Sequence, residues 1–141
     1  MFAKQLTVFI ENRSGRLSDV LEVLKESGVN IFSLSLADTT EFGLLRLIVD
    51  TPALGKEKLT ERGFSSMLSD VSIIQIPHKT GSLQELLETI DENGVNIEYM
   101  YGLSFESEEA YVVLKADAEK IDKILTDNGV RTITCEELAN I

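Results

Sequence analysis

Residues 10–31, IENRSGRLSDVLEVLKESGVNI, and residues 76–97, IPHKTGSLQELLETIDENGVNI, are one segment written twice at an offset of 66 positions. Ten of the 22 positions are identical: Ile10/Ile76, Gly15/Gly81, Leu17/Leu83, Leu21/Leu87, Glu22/Glu88, Glu26/Glu92, Gly28/Gly94, Val29/Val95, Asn30/Asn96 and Ile31/Ile97. A repeat of this strength means two similar units in series, and it governs every later inference. Whatever one half does, the other is expected to do in a mirrored or diverged form. The period divides the 141 residues into domains at 1–70 and 71–141. Units that small bury only a modest core alone, so the halves are expected to lean on each other.

Local patterns repeat with the sequence. KQLTVFIE at 4–11 is rich in β-branched and aromatic residues and reads as a strand. After the NRSGR turn, Leu17, Val20, Leu21 and Leu24 recur at helical spacing, and Gly28 supplies a left-handed stop. Phe32, Leu34 and Leu36 alternate with Ser33, Ser35 and Ala37, predicting a strand with one buried and one wet face. Residues 44–50 read as a third strand, Thr51-Pro52 opens a short helix to Arg62, and 64–68 form a fourth strand. A turn at Ser69-Asp70 joins the halves. The second half repeats the order: strand 71–76, a helix marked by Leu83, Leu86, Leu87 and Ile90, and a stop at Gly94. Strands at 97–104 and 110–116 then flank the acidic turn FESEE. Ile121, Ile124 and Leu125 stripe a last helix, which Gly129 ends before a closing strand from Val130. The predicted class is α+β: two βαββαβ units in tandem, each an antiparallel sheet with two helices on one face, the ferredoxin-like arrangement.

That arrangement hosts many unrelated activities, so function must come from particular side chains. The net charge is −11, with 8 basic against 10 acidic residues in 1–70 and 5 against 14 in 71–141. This argues against a nucleic-acid partner, whose phosphates demand a basic face. The composition, 43% hydrophobic and 26% charged, is that of a soluble globular protein. No apolar run of about 18 residues is present to cross a bilayer, and MFAKQLTVFIEN does not read as an export signal. The expected location is cytoplasmic, with no membrane partner. One cysteine, Cys135, and one histidine, His78, fall short of the roughly four ligands of a structural zinc site, so no metal or cofactor is expected. His78 has no orienting partner at a recognisable spacing for nucleophilic catalysis, and no carboxylate pair stands out. No catalytic residues are assigned. Asn12-Arg13-Ser14 matches the glycosylation acceptor pattern, a chance match without export.

The strongest chemical feature is a polar loop with a central glycine between a strand and a helix. It is Asn12-Arg13-Ser14-Gly15-Arg16-Leu17 in one half and His78-Lys79-Thr80-Gly81-Ser82-Leu83 in the other. A helix start offers unpaired N–H groups and partial positive charge, and glycine lets a ligand approach the backbone. Arg13 and Lys79 add a cation at the same point of each loop. Such a place suits a carboxylate; the competing reading is that Ser14 and Thr80 cap their helices while Gly15 and Gly81 make the turn. The second duplicated element, Gly-Val-Asn-Ile at 28–31 and 94–97, retains an asparagine although asparagine is a poor strand former. Asn30 and Asn96 are either turn residues at the strand entry or amides that read both ends of a zwitterion.

Together, the βαββαβ order, the polar loop with Gly-x-Leu and the Gly-Val-Asn-Ile strand entry resemble the ACT domain, a regulatory module of amino-acid metabolism. The resemblance covers essentially the whole chain as two ACT units. It implies units paired side by side, with a free amino acid bound at a seam between the first-helix loop of one unit and the second-strand start of its neighbour. On this resemblance Asn12, Gly15 and Leu17 fall on the loop positions of the family, and Asn30-Ile31 and Asn96-Ile97 on the strand entry. One seam would join the Asn12–Leu17 loop to Asn96, the other the His78–Leu83 loop to Asn30. Departures are His78 in place of the loop asparagine, and Ser14 and Thr80 where a proline is usual. The expected function is that of a non-catalytic amino-acid sensor, forming a homodimer and acting through a separate enzyme or its own oligomeric state. The rival readings are an interaction module without ligand and a small enzyme on the same scaffold.

Overall fold

The 13 residues Ser65–Pro77 form a single uninterrupted strand, where the sequence predicts two strands joined by a turn at Ser69-Asp70. Serine and aspartate are turn residues, but neither forces positive φ or removes a donor as glycine or proline would, so nothing breaks the extended run. The computed structural model describes residues 2–11, 13–38, 42–103 and 109–141. It comprises two compact units, the first Lys4–Ser69 with Cys135–Ile141 and the second residues 2–3 with Asp70–Thr134.

The first unit holds β1 (Ala3–Glu11), α1 (Arg16–Glu26), β2 (Ile31–Asp38), β3 (Phe42–Val49), α2 (Pro52–Glu61) and the first part of β4 (Ser65–Pro77), in strand order β2-β3-β1-β4. β1 pairs with β3 and β2 pairs with β3, both antiparallel, aligning Leu6 with Leu47 and Leu36 with Leu45. Leu6, Val8 and Ile10 of β1 share a core with Val20, Val23 and Leu24 of α1. The alternate β1 residues Gln5 and Thr7 are also buried, and the Gln5 amide donates to the Thr7 hydroxyl at 3.1 Å. This satisfies part of the polarity that burial would otherwise leave costly. Helix α1 ends at Gly28 with φ 72°, and the Val29 N–H reaches back to the Leu24 carbonyl at 2.9 Å, the left-handed closure expected of glycine there.

Strand β2 departs from its predicted facing. Its pairing shifts register between Ile31 and Ser33, and Leu34 and Leu36 are 47% and 51% exposed. β2 stands at the end of the strand order, so its apolar side chains lack cover on one flank, which the period-2 pattern could not reveal.

The second unit holds the rest of β4, then α3 (Ser82–Glu92), β5 (Ile97–Leu103), β6 (Glu109–Ala116), α4 (Ala118–Asp127) and β7 (Arg131–Ile133). β4 pairs antiparallel with β6 and β7, and β5 with β6. Ile74, Ile76, Leu86, Ile90 and Ile121 belong to its core, and Phe2 packs there too. Asp117 caps α4, accepting the Lys120 N–H at 3.1 Å. Most of the acidic turn FESEE lies outside the described residues.

A fifth helix, α5 (Cys135–Ala139), was not predicted. It belongs to the first unit, and the Cys135 thiol donates to the Lys4 carbonyl at 3.5 Å. Burial pushes the Cys135 thiol pKa up. The cysteine is therefore a neutral packing residue.

Candidate functional site

Both loop glycines adopt the left-handed conformation that their position requires, Gly15 with φ 87° and Gly81 with φ 88°. Each is itself the N-cap of its helix, and no side chain caps either one. The alternative in which Ser14 and Thr80 cap α1 and α3 is therefore not what forms. The first intrahelical bonds are Asp19 N–H to the Gly15 carbonyl and Glu85 N–H to the Gly81 carbonyl, both 3.0 Å. Helix geometry then leaves the N–H groups of Leu17 and Ser18, and of Leu83 and Gln84, without an intrahelical acceptor. These are two equivalent anion-favouring helix starts.

The side chains around them differ. Asn12 lies outside the described residues. Arg13 is exposed and pairs with Glu11 at 3.1 Å, an ion pair of small energetic weight at that exposure. Ser14, His78, Lys79 and Thr80 are exposed, whereas Arg16, Leu17 and Leu83 are half-buried. At the strand entries Asn30 and Asn96 are exposed, and Ile31 and Ile97 half-buried. The Asn30 backbone is held by Asp50: its N–H donates to the Asp50 carboxylate and its carbonyl accepts the Asp50 N–H, both at 3.0 Å. The asparagine side chain is left facing outward from a fixed backbone. A concavity of about 430 Å³ gathers Asn30 and Ile31 with Leu21, Lys25, Gly28 and Val29.

Sequence reasoning missed a pair of surface cavities beside the same helix starts. In the first unit a cavity of about 210 Å³ lies between α1 and the chain leaving α2, with Arg16, Asp19, Arg62 and Phe64 in its wall. The Arg16 guanidinium lies 4.3 Å from the Phe64 ring centroid, and its Nη1 donates to Asp19 at 3.5 Å. Arg62 is tied to Glu26 at 2.6 Å. In the second unit a cavity of about 290 Å³ lies between α3 and the chain leaving α4, bounded by Lys79, Ser82, Glu85, Asn128 and Val130 among others. Ser82 is only 9% exposed, and its hydroxyl has no hydrogen-bond partner among the described residues. The 66-residue offset, carried past residue 97 to Arg62/Asn128 and Phe64/Val130, is the signal that finds these walls.

A buried hydroxyl without a partner costs about 1–3 kcal/mol. Ser82→Ala is accordingly expected to raise stability by about 1 kcal/mol in urea unfolding, helped by alanine's helix propensity. A loss of stability would show that the hydroxyl has a partner in solution.

Among the described residues no group of three or more His, Cys, Asp or Glu is placed to hold a metal ion, and no helix is long and apolar enough to cross a membrane. Two βαββαβ units in series make this a tandem ferredoxin-like protein. The family described as the ACT domain pair matches residues 1–141, and the chain belongs to it. A solved protein from Bacteroides thetaiotaomicron is similar over 100% of this chain and 98% of its own, at 34% identity and TM-score 0.92. The regulatory subunit of aspartate kinase from Thermus thermophilus shares the fold over 87% of this chain and 88% of its own, at 19% identity and TM-score 0.63. The small subunit of acetolactate synthase isozyme 3 from Escherichia coli K12 is 34% identical over 71 residues, which are 50% of this chain and 42% of that subunit. The match therefore spans less than half the length of that relative.

Proposed function

We propose that this chain is a non-catalytic cytoplasmic sensor that binds a free amino acid and passes the signal to a separate enzyme of amino-acid metabolism or to its own oligomeric state. The observation that carries the reading is the duplicated helix start: Gly15 and Gly81, both left-handed, precede helices that no side chain caps. Each has a cation two residues before the glycine, Arg13 or Lys79. An amino-acid carboxylate suits those free N–H groups and that charge. In the seam arrangement the outward amides of Asn30 and Asn96 answer from the neighbouring unit, reading the ammonium and carboxylate with their acceptor and donors. Arg13 to Leu17 with Asn12 form one side of the first seam, and His78 to Leu83 one side of the second.

Family membership and the acetolactate synthase small subunit among its relatives support a regulatory role beside a catalytic partner. The exposed Leu34 and Leu36 on the end strand β2 support side-by-side pairing in a homodimer.

The test is a thermal-shift screen against the twenty amino acids near millimolar. A ligand at a hundred times its dissociation constant adds about 2.7 kcal/mol, several degrees for a protein of this size. At least one amino acid is expected to raise the melting temperature, and Asn30→Ala or Asn96→Ala to reduce that rise at unchanged intrinsic stability. An undiminished response in both variants would sink the seam, and a folded protein with no response to any amino acid would sink the sensor.

A further inference from the structure

Asparagine followed by glycine occurs twice in the chain, at Asn93-Gly94 and Asn128-Gly129, and both pairs lie in the second unit. Their counterparts 66 positions earlier are Ser27-Gly28 and Arg62-Gly63. All four glycines have positive φ, between 67° and 83°, so the helix-ending turn is common to both units and asks only for the glycine. The carboxamide before it belongs to the second unit alone. It brings a chemistry that serine and arginine lack: an electrophilic side-chain carbonyl carbon next to a main-chain nitrogen that no Cβ shields.

Both asparagines are helix C-caps, with φ −90° and ψ 5° at Asn93 and φ −100° and ψ 8° at Asn128. Each side chain turns back along its helix, the Asn93 amide donating to the Thr89 carbonyl and the Asn128 amide to the Ile124 carbonyl, both at 2.8 Å. The glycine nitrogens are engaged too: Gly94 N–H donates to the Asp91 carbonyl at 2.9 Å, and Gly129 N–H to the Thr126 carbonyl at 3.1 Å. Attack requires that N–H to lose its proton and the carboxamide to swing toward it, so a closed helix end does not react. Opening of the last turn is enough to free both groups, and helix ends open at far lower cost than the whole fold. The end of α3 is held less firmly. Its closing bond, Val95 N–H to the Ile90 carbonyl, is 3.4 Å long, against 2.9 Å for Val130 N–H to the Leu125 carbonyl at the end of α4.

We propose that Asn93 is a site of spontaneous covalent modification gated by opening of the last turn of α3, with Asn128 a slower second site. In the open turn the deprotonated Gly94 nitrogen attacks Asn93 Cγ; the N–Cγ bond forms, the Cγ–Nδ2 bond breaks, and ammonia leaves with the equivalent of the lost proton. Water then opens the cyclic imide at either carbonyl, giving aspartate or isoaspartate. Nothing is oxidised or reduced, and the net exchange is water for ammonia. The product holds the turn open, because a carboxylate cannot donate to the Thr89 carbonyl and it adds negative charge at the negative end of the helix dipole. Isoaspartate also inserts a methylene into the main chain between α3 and Asn96. On the sensor reading, that displaces the strand entry and weakens the amino-acid response of the aged chain.

The test is incubation of the folded full chain in mildly alkaline buffer, then peptide mass mapping with isoaspartate detection, beside the same chain unfolded in guanidinium chloride. The amide-to-acid mass gain is expected at Asn93 before Asn128, rising with pH, and in the folded chain at least about tenfold slower than in the unfolded one. Asn93→Ser, the residue of the first unit, should abolish the gain there and leave Asn128 unaltered. Val95 is 5% exposed and packs in the core behind the turn, so Val95→Ala should speed the reaction at Asn93 several-fold and not at Asn128. Should that variant fold poorly, hydrogen exchange of the Gly94 amide in the unaltered protein carries the same test, with opening expected at lower free energy than global unfolding. No gain at Asn93 in the folded chain, equal rates in the folded and unfolded chains, Asn128 reacting first, or Gly94 exchanging only by global unfolding would overturn the proposal. An amino-acid response absent from both the fresh and the aged chain would remove the sensor reading and leave this site standing.

Discussion

Leu138→Ala should lower the stability of the protein by about 2–5 kcal/mol, the range for truncating a buried leucine. Leu138 is 1% exposed although it lies three residues from the C-terminus, where chains ordinarily fray. Its helix is only five residues long and could not persist by its own propensity. Tertiary packing must hold it, and the leucine and Cys135 are its buried residues. A loss of 2–5 kcal/mol is a large share of the about 5–15 kcal/mol that typical domains have. The expected fall in melting temperature is roughly 5–15 °C. A fall under about 2 °C would mean that α5 is not docked in solution. The same experiment reports on cooperativity: α5 belongs to the first unit while the chain just before it belongs to the second. Undocking α5 should therefore destabilise the unit that contains Leu6 and Leu24, remote in sequence from residue 138.

The parts of this fold that were legible in sequence are those set by local pattern. Leu17, Val20, Leu21 and Leu24 gave α1, and Gly28, Gly94 and Gly129, all with positive φ, gave helix stops, because periodicity and left-handed glycine act within a few residues. What stayed hidden depends on neighbours. The continuity of β4 through Ser69-Asp70 was hidden because turn-forming residues stay extended when pairing rewards it. The exposure of Leu34 and Leu36 depends on β2 being an end strand, and α5 on a docking surface. In the candidate site, the glycine turns were readable from the repeat, whereas the sequence left open whether Ser14 and Thr80 cap the helices, which they do not. The restraint of Asn30 by Asp50 and the cavities beside the helix starts were not readable, because they pair segments about 20 to 50 residues apart whose proximity only the fold supplies.

The largest expected effect comes from exchanging one residue of α2 with its counterpart in α4. Gly55 and Ile121 occupy the same position of the repeat, yet Gly55 is buried in α2 and Ile121 is 1% exposed in the core of the second unit. A Cβ at residue 55 would stand 3.0 Å from Leu6 Cδ2 and 3.4 Å from Leu24 Cδ2. Glycine there lets α2 approach β1 and α1 closely, and an isoleucine has no room for its remaining carbons. Gly55→Ile is expected to cost about 1–3 kcal/mol by overpacking, even after the gain of about 0.5 kcal/mol from removing a helical glycine. Ile121→Gly should cost more, about 3–6 kcal/mol, combining a cavity in the core with the entropy of a glycine in a helix. Urea unfolding of both variants checks the pair, and an Ile121→Gly cost below about 1 kcal/mol would show that the second core collapses around the gap.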